Sequence, residues 1–193
     1  MTTQSDAEAL APRLYQVVTT NTRKLMAAVE AGKWHDSTPC TDWDVQTLVN
    51  HLVSGAKNVA SIMGGDGPQN FGDVLGDDAL AAFDAAIGPA VAALQEEGAM
   101  TKTVVGRRGE QPAGDYALGQ VQEMLVHGWD LAIAIGQDAT MDSEALKISY
   151  ERALRNRDRL RAGGSTAWGD GEASVGDAPD LQTQYLSILG RSA

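Results

Sequence analysis

Apolar residues recur at helical spacing along several long segments of the chain. In the first segment they lie three and four positions apart from Leu10 to Val29, which predicts an amphipathic helix. Ser5 and Glu8 have the spacing of a capping box, so this helix should begin near Ser5 and end near Gly32.

The remaining segments show the same period between recognisable start and stop residues. A second helix should begin at the capping pair Thr41 and Asp44 and end at Gly64–Gly65. The further helices are predicted, in order, from Asp77 or Asp78 through Leu94, from about Asp115 to Ile135 with Gly136 as the C-cap, and from Asp142 or Ser143 to about Arg161 before Gly163–Gly164.

One short segment has a different pattern. Thr101 to Val105 is rich in β-branched residues and predicts an extended segment or one strand of a small hairpin, with Gly106 to Gly114 as the turn. Four long amphipathic helices with moderate loops predict an all-α four-helix bundle, with this extended segment before helix four and an extra helix after it. We expect a single domain over residues 1–193, with a helical core at 5–161 and a tail at 162–193.

Composition narrows the classes of partner. The net charge is −11, which argues against binding nucleic acid or anionic lipid through bulk electrostatics. No apolar run approaches the roughly 18 residues that span a bilayer, and the polar, acidic start of the chain has no secretory signal. A single cysteine, Cys40, excludes an internal disulfide, so we expect a cytoplasmic protein.

The fourth predicted helix is apolar almost all round, which is typical of a buried helix. Its remaining polar sector holds Glu123, His127 and Asp130. Glu123 and His127 are four residues apart and therefore lie one above the other on the same face. A buried carboxylate needs a partner, a metal or a proton, so this sector should face a cavity or a slit of solvent.

A third ligand for a metal can come from His51 at the edge of the apolar stripe of the second helix. His51, Glu123 and His127 would leave a fourth position open, as in catalytic zinc sites. Imidazole also suits nickel, iron and copper. Two simpler interpretations remain open at this point, namely an exposed ion pair on one helix and a histidine at the core boundary. Asp130 would hydrogen-bond a ligand histidine or stabilise the helix surface.

Cys40 has two interpretations as well. It lies near a helix N-terminus, where a thiol pKa can fall, but a small buried core residue is the commoner outcome. Trp43 and Trp129 are expected to be core aromatics or cavity walls.

Two blocks of sequence resemble DinB-like proteins of actinobacteria. The first is Thr38-Pro39-Cys40-Thr41-Asp42-Trp43-Asp44-Val45 followed by His51-Leu52, and the second is Glu123-Met124-Leu125-Val126-His127-Gly128-Trp129-Asp130-Leu131-Ala132 followed by Gly136-Gln137. Leu75-Gly76-Asp77-Asp78 and the closing Leu189-Gly190-Arg191 also match, so the resemblance covers nearly the whole chain.

The resemblance implies an up-down-down-up four-helix bundle with a divalent metal, zinc or nickel, held by His51, Glu123 and His127. The best understood relatives are the mycothiol-dependent maleylpyruvate isomerase, whose N-terminal domain this chain is similar to, and low-molecular-weight-thiol S-transferases. They imply a small-molecule thiol, mycothiol among them, and an electrophilic substrate. The isomerase has a further C-terminal domain, for which residues 162–193 are too few, and we identify no match to its substrate-binding residues.

Three hypotheses about function follow. The first is a metal-dependent thiol transferase or isomerase. The second is a non-enzymatic metal- or ligand-binding module, with which a homodimer along the fifth helix would be compatible. The third is a bundle whose metal site has decayed, and the presence of all three ligand types ranks it last.

Overall fold

The computed structural model describes residues 3–157 and 180–191, and helices dominate both ranges. The helices are α1 (Gln4–Ala27), α2 (Val45–Gly64), α3 (Ala79–Gln95), α4 (Ala113–Ile135), α5 (Ser143–Arg155) and α6 (Leu181–Ile188). Two antiparallel strands, β1 (Thr103–Gly106) and β2 (Gly109–Pro112), form a small hairpin before α4. The predicted all-α bundle with a short extended segment is confirmed.

Helices α1 to α4 form the bundle, with α1 packed on α4 and α3, and α2 packed on α3 and α4. The apolar stripe of α1 is buried at Leu14 and Val18, and that of α2 at Leu48, Leu52 and their neighbours. Each fully buried side chain of this kind contributes about 1.5–3 kcal/mol of transfer free energy. Helix α5 adds a further layer against α4, and α6 packs on α5.

Helix α1 begins at Gln4, close to the predicted start near Ser5, but the capping residues of α1 and α2 differ from the predicted ones. Helix α1 is capped by Thr3, whose hydroxyl accepts a hydrogen bond from the Asp6 amide at 3.2 Å, so Ser5 lies inside the helix. Helix α2 is capped by Asp44, whose carboxylate accepts from the Thr47 amide at 2.8 Å, rather than by Thr41. The predicted cap Asp78 of α3 is confirmed, since its carboxylate accepts from the Ala81 amide.

The other ends follow the sequence signals more closely. Gly65 and Gly136 end α2 and α4 in the left-handed conformation, as glycine permits without steric cost. Asp142 caps α5. Helix α1 ends at Ala27, short of the predicted Gly32, and a 3-10 turn covers Ala31–Lys33. The predicted end of the fifth helix at Arg161 and the break at Gly163–Gly164 lie outside the described residues.

The hairpin is tighter than predicted. Its turn consists of Arg107 and Arg108 only, because Gly106 pairs with Gly109, and α4 begins directly after β2. The predicted turn over Gly106 to Gly114 was therefore too long. This geometry places two arginines side by side at the hairpin tip.

Within residues 3–157 and 180–191, no helix combines the length and apolarity that crossing a membrane requires.

We expect Leu14→Ala to lower the free energy of unfolding by about 2–5 kcal/mol, because Leu14 is fully buried in the bundle core. Urea denaturation followed by circular dichroism measures the change. Leu154→Ala is the matched control, since Leu154 is 42% exposed and its truncation should change the stability by only about 0.5 kcal/mol. Equal losses for the two variants would contradict this account of the core.

Candidate metal centre

The structure brings His51, Glu123 and His127 together between α2 and α4. The Glu123 Oε2 atom lies 3.4 Å from His127 Nε2 and 3.6 Å from His51 Nε2. One donor atom from each residue lies within 4.8 Å of the others. The two residues on α4 share a face because they are one helical turn apart, and α2 carries His51 next to its buried residues Leu48 and Leu52.

Exposure is graded across these three side chains. The His127 side chain is fully buried, whereas the side chains of Glu123 and His51 are 30% and 38% exposed to solvent. The group therefore opens to solvent on the side of His51 and Glu123 only.

Trp43 forms a wall against both imidazoles. Its ring centroid lies 4.8 Å from that of His51 and 5.7 Å from that of His127, and the two histidine rings meet edge to face at 4.9 Å. Trp43 was expected to be a core aromatic or a cavity wall, and the structure shows that it packs against the two imidazoles of the candidate centre.

The loop before α2 delivers both Trp43 and Cys40. The Thr38 hydroxyl donates to the Trp43 carbonyl and accepts from the Cys40 amide, which closes the loop on itself. Asp42 adopts a positive φ of 68°, a conformation that few non-glycine residues take. This turn directs Cys40 into the core, where it is 2% exposed.

Cys40 is therefore a buried thiol, as the commoner of its two interpretations states. It is not packed only among apolar groups, however. Its Sγ atom lies 3.1 Å from Asp130 Oδ2 and 3.5 Å from His127 Nδ1. Cys40, His127 and Asp130 thus make a second group with metal-ligating atoms close together.

A guanidinium group makes this second group a poor metal site. Arg191 donates to the Asp130 carboxylate and to the Cys40 sulfur, so a positive charge already lies among these donors. In the group of His51, Glu123 and His127, by contrast, Glu123 makes its ion-pair contacts with the two imidazoles, and the group faces solvent on one side. Of the two groups, it is the better candidate to hold a divalent ion.

Burial and hydrogen bonding shift the pKa values of these groups in opposite directions. Burial alone would raise the pKa of Glu123, but its close polar contacts with His127 and His51 outweigh burial and lower that pKa well below its usual range. Burial alone would lower the pKa of His127, but its polar contacts with Asp130, Cys40 and Glu123 raise that pKa well above its usual value. The charged forms of Glu123 and His127 are thus both favoured, and their opposite charges compensate each other.

A cavity of about 430 Å³ lies directly beside the group, and His51 and Glu123 form part of its wall. The rest of the wall comes from α1, α2, the hairpin tip, α4 and α5. Its polar and charged lining includes Asn58, Arg107, Arg108, Gln111, Gln120 and Arg152. A small molecule can therefore reach the exposed side of the three candidate ligands.

Arg191 is the residue of this region to which sequence reasoning assigned no role. Only its place in the closing Leu189-Gly190-Arg191 block marked it, and nothing in the local pattern indicated that its side chain would be buried beside Asp130. Asp130, which was expected either behind a histidine or at the helix surface, takes the first of these positions.

Taken together, the fold and this centre define a helical bundle with a three-residue candidate metal centre that opens into a cavity. Residues 15–132, more than half of the chain, match the family described as the mycothiol maleylpyruvate isomerase N-terminal domain. The chain belongs to this family.

Relatives by sequence include two uncharacterized proteins of Mycobacterium tuberculosis, from strains CDC 1551 / Oshkosh and ATCC 25618 / H37Rv. Each is 30% identical over 134 residues, which cover 67% of this chain and 71% of the relative. The fold is similar to crystal structures of the mycothiol-dependent maleylpyruvate isomerase and of a point mutant of it. Both have a TM-score of 0.64. The isomerase is 17% identical, and the match covers 83% of this chain and 75% of the isomerase chain. The mutant is 16% identical, and the match covers 86% of this chain and 76% of the mutant chain.

The raised pKa of His127 predicts how the stability of the metal-free protein depends on pH. A group whose pKa is higher in the folded state contributes stability below its unfolded value, near 6.5, and loses that contribution as the pH rises through the folded value. We therefore expect the stability difference between the wild type and His127→Gln to shrink over an interval that begins near pH 6.5 and extends to alkaline pH. Urea denaturation in the presence of a chelator measures this difference.

Leu14→Ala serves as the control for that measurement, because an apolar truncation should cost the same free energy throughout this interval. A His127→Gln difference that grows with pH would show that the imidazole is neutral in the folded protein.

Proposed function

We propose that this protein is a divalent-metal-dependent enzyme of the low-molecular-weight-thiol S-transferase or isomerase type. In this proposal His51, Glu123 and His127 hold the metal, zinc or nickel, and mycothiol or a related thiol binds beside it. The observation that carries the proposal is the convergence of two imidazoles and one carboxylate beside an open cavity, with His51 and Glu123 forming part of its wall.

The donor set fits such an ion. Zinc binds imidazole nitrogen and carboxylate oxygen at about 2.0–2.2 Å, so donors around a tetrahedral ion are separated by roughly 3.3 Å. The separations of 3.4 and 3.6 Å from Glu123 to the two histidines agree with this spacing. One carboxylate and two neutral imidazoles leave a divalent ion with net positive charge, which favours an anionic ligand such as a thiolate.

The chemistry that a metal supplies here is stabilisation of the anionic form of a bound thiol at neutral pH. The residues of the chain would shape the site in which this thiol binds. Glu123 and His51 present their donor atoms toward the cavity, and Trp43 covers the imidazoles from one side. The thiol and its electrophile would therefore meet in the cavity rather than in bulk solvent.

Charges on the cavity wall favour an anionic electrophile. The protein carries a net charge of −11, yet Arg107, Arg108 and Arg152 all line this cavity. Arg152 is ion-paired with Asp115 at 2.6 Å and Arg107 donates to the Gln69 carbonyl, so both have structural partners. Arg108 at the hairpin tip is the arginine that we assign to the substrate. The related crystal structures are named for an isomerase of maleylpyruvate, which is itself an anion.

A buried tyrosine supports a polar ligand in the same cavity. Tyr15 lines it, and the Tyr15 hydroxyl is buried without a hydrogen-bond partner among the described residues. Burial raises the pKa of Tyr15 far above its usual value, so the hydroxyl keeps its proton and can donate. Buried polar groups normally find a partner, and a bound ligand would supply one.

The same observations bear on the non-enzymatic alternative. A structural metal site is closed by four protein ligands, whereas three donors make up this group among the described residues and the cavity lies beside them. The open side supports the enzyme over the binding module.

Metal analysis tests the centre directly. We expect the purified protein to hold one zinc or nickel ion per chain after incubation with the metal, and His127→Ala to hold almost none, because two remaining donors bind weakly. Inductively coupled plasma mass spectrometry after dialysis measures the content. His35→Ala is the matched control, since His35 is 80% exposed, lies outside the group and should leave the metal content unchanged. A wild type without stoichiometric metal would refute the centre.

Steady-state kinetics test the thiol and the charge of the electrophile. We expect turnover of electrophiles to require mycothiol, and Arg108→Gln to raise KM for a carboxylate-bearing electrophile about tenfold, the effect of losing one charged hydrogen bond. KM for an uncharged electrophile should change little. Arg23→Gln is the control, because Arg23 is exposed and paired with Asp84 away from the cavity. An equal effect on charged and uncharged electrophiles would contradict the role of Arg108.

A further inference from the structure

A buried carboxylate lies directly behind the candidate ligand His127. Asp130 Oδ2 is 2.9 Å from His127 Nδ1, and neither side chain is exposed to solvent. An ionised carboxylate can only accept hydrogen bonds, so Nδ1 must carry the proton in this contact. In the neutral ring the lone pair then lies on Nε2, the nitrogen that faces Glu123.

Arg191 holds this carboxylate in one orientation. Its Nε atom donates to Asp130 Oδ1 at 3.1 Å and its Nη2 atom to Oδ2 at 2.8 Å, which is a two-pronged contact. Its Nη1 atom donates to the Leu189 carbonyl at 2.8 Å. Because the planar guanidinium matches both oxygens, Asp130 is prevented from rotating away from His127.

Cys40 completes the surroundings of the carboxylate. Its thiol donates to Asp130 Oδ2 at 3.1 Å, and Arg191 Nη2 lies 3.3 Å from its sulfur. The Asp130 carboxylate thus has partners from α4, from the loop before α2 and from the residues after α6.

The end of α6 is built to deliver Arg191 to this place. The Gly190 amide donates to the Ser187 carbonyl and the Arg191 amide to the Leu186 carbonyl, the two bonds of a Schellman motif. Gly190 has a φ of 75°, which reverses the chain direction there. Leu186 and Leu189 anchor the motif in the core, so Arg191 returns into the bundle rather than into solvent.

We propose that Arg191 is a positioning residue of the metal centre, acting through Asp130 to fix the tautomer and orientation of His127. The inference rests on the proposed function, since it concerns the metal that His127 would bind. It makes α6 and the two residues after Leu189 part of the centre, although they lie more than 50 positions from His127 in sequence. Residues behind a ligand histidine change metal affinity because they set its basicity and aim.

The test compares Arg191→Met with the wild type, using Co²⁺ as the probe. We expect Arg191→Met to weaken Co²⁺ binding about 10- to 100-fold in competition with a chelator and to shift the visible absorption of bound Co²⁺. Arg191→Lys should fall between the two, because lysine supplies the charge without the two-pronged geometry. Circular dichroism establishes that each variant is folded.

Ile188→Ala is the control for loss of packing in the same segment. It removes a buried apolar side chain of α6, so it should lower the unfolding temperature while leaving Co²⁺ affinity within about twofold of the wild type. Equal loss of affinity in Ile188→Ala and Arg191→Met would reduce Arg191 to a packing residue and overturn the inference.

Other outcomes separate this inference from the proposed function. A wild type that binds no Co²⁺ or Zn²⁺ refutes the proposed function and the inference with it. Wild-type binding with unchanged affinity and spectrum in Arg191→Met refutes the inference alone. If Arg191→Met does not fold, Arg191→Lys and Asp130→Asn test the inference instead. Unchanged Co²⁺ binding in both of these variants would overturn the positioning role of Arg191.

Discussion

The Asp130 carboxylate is fully buried in this protein, and its hydrogen bonds come from three segments that are far apart in sequence. His127 lies one turn earlier on α4, Cys40 in the loop before α2, and Arg191 after α6. Removing one partner of a buried ion pair costs about 3–5 kcal/mol, because the other charge is left without compensation. The folded arrangement of these segments and the geometry of the candidate metal centre therefore depend on the same few bonds.

A small anion beside the candidate centre would meet a local charge that differs in sign from the net charge of the protein. An acidic protein would repel small anions at long range, but screening confines that repulsion to about 8–10 Å. Arg107 and Arg108 occupy a two-residue turn at the cavity, where they act at short distance. Family membership and a TM-score of 0.64 establish the fold, and a fold alone does not specify a reaction. The reaction consequently depends on the donor atoms of the candidate centre and on the cavity wall beside them.

Periodicity predicted which segments are helical, whereas helix starts depended on competition between neighbouring caps. Thr41 and Asp44 both offered a capping oxygen to α2. Asp44 caps the helix because the preceding loop closes on itself through Thr38, and the positive φ of Asp42 interrupts any helix before it. The length of the hairpin turn was also not predictable from local sequence. It depends on the cross-strand pairing of Gly106 with Gly109, and the positions of the glycines alone do not specify which residues pair.

By itself the sequence determined the all-α class, the buried character of α4 and the shared face of Glu123 and His127, because these follow from a repeat of 3.6 residues per turn. It also selected His51 as a partner from its position on α2. Only the tertiary structure decided that His51 faces Glu123 at 3.6 Å, that Trp43 covers both imidazoles, and that Arg191 holds Asp130. Such contacts join segments through packing and loop closure, and no local spacing in the chain specifies them.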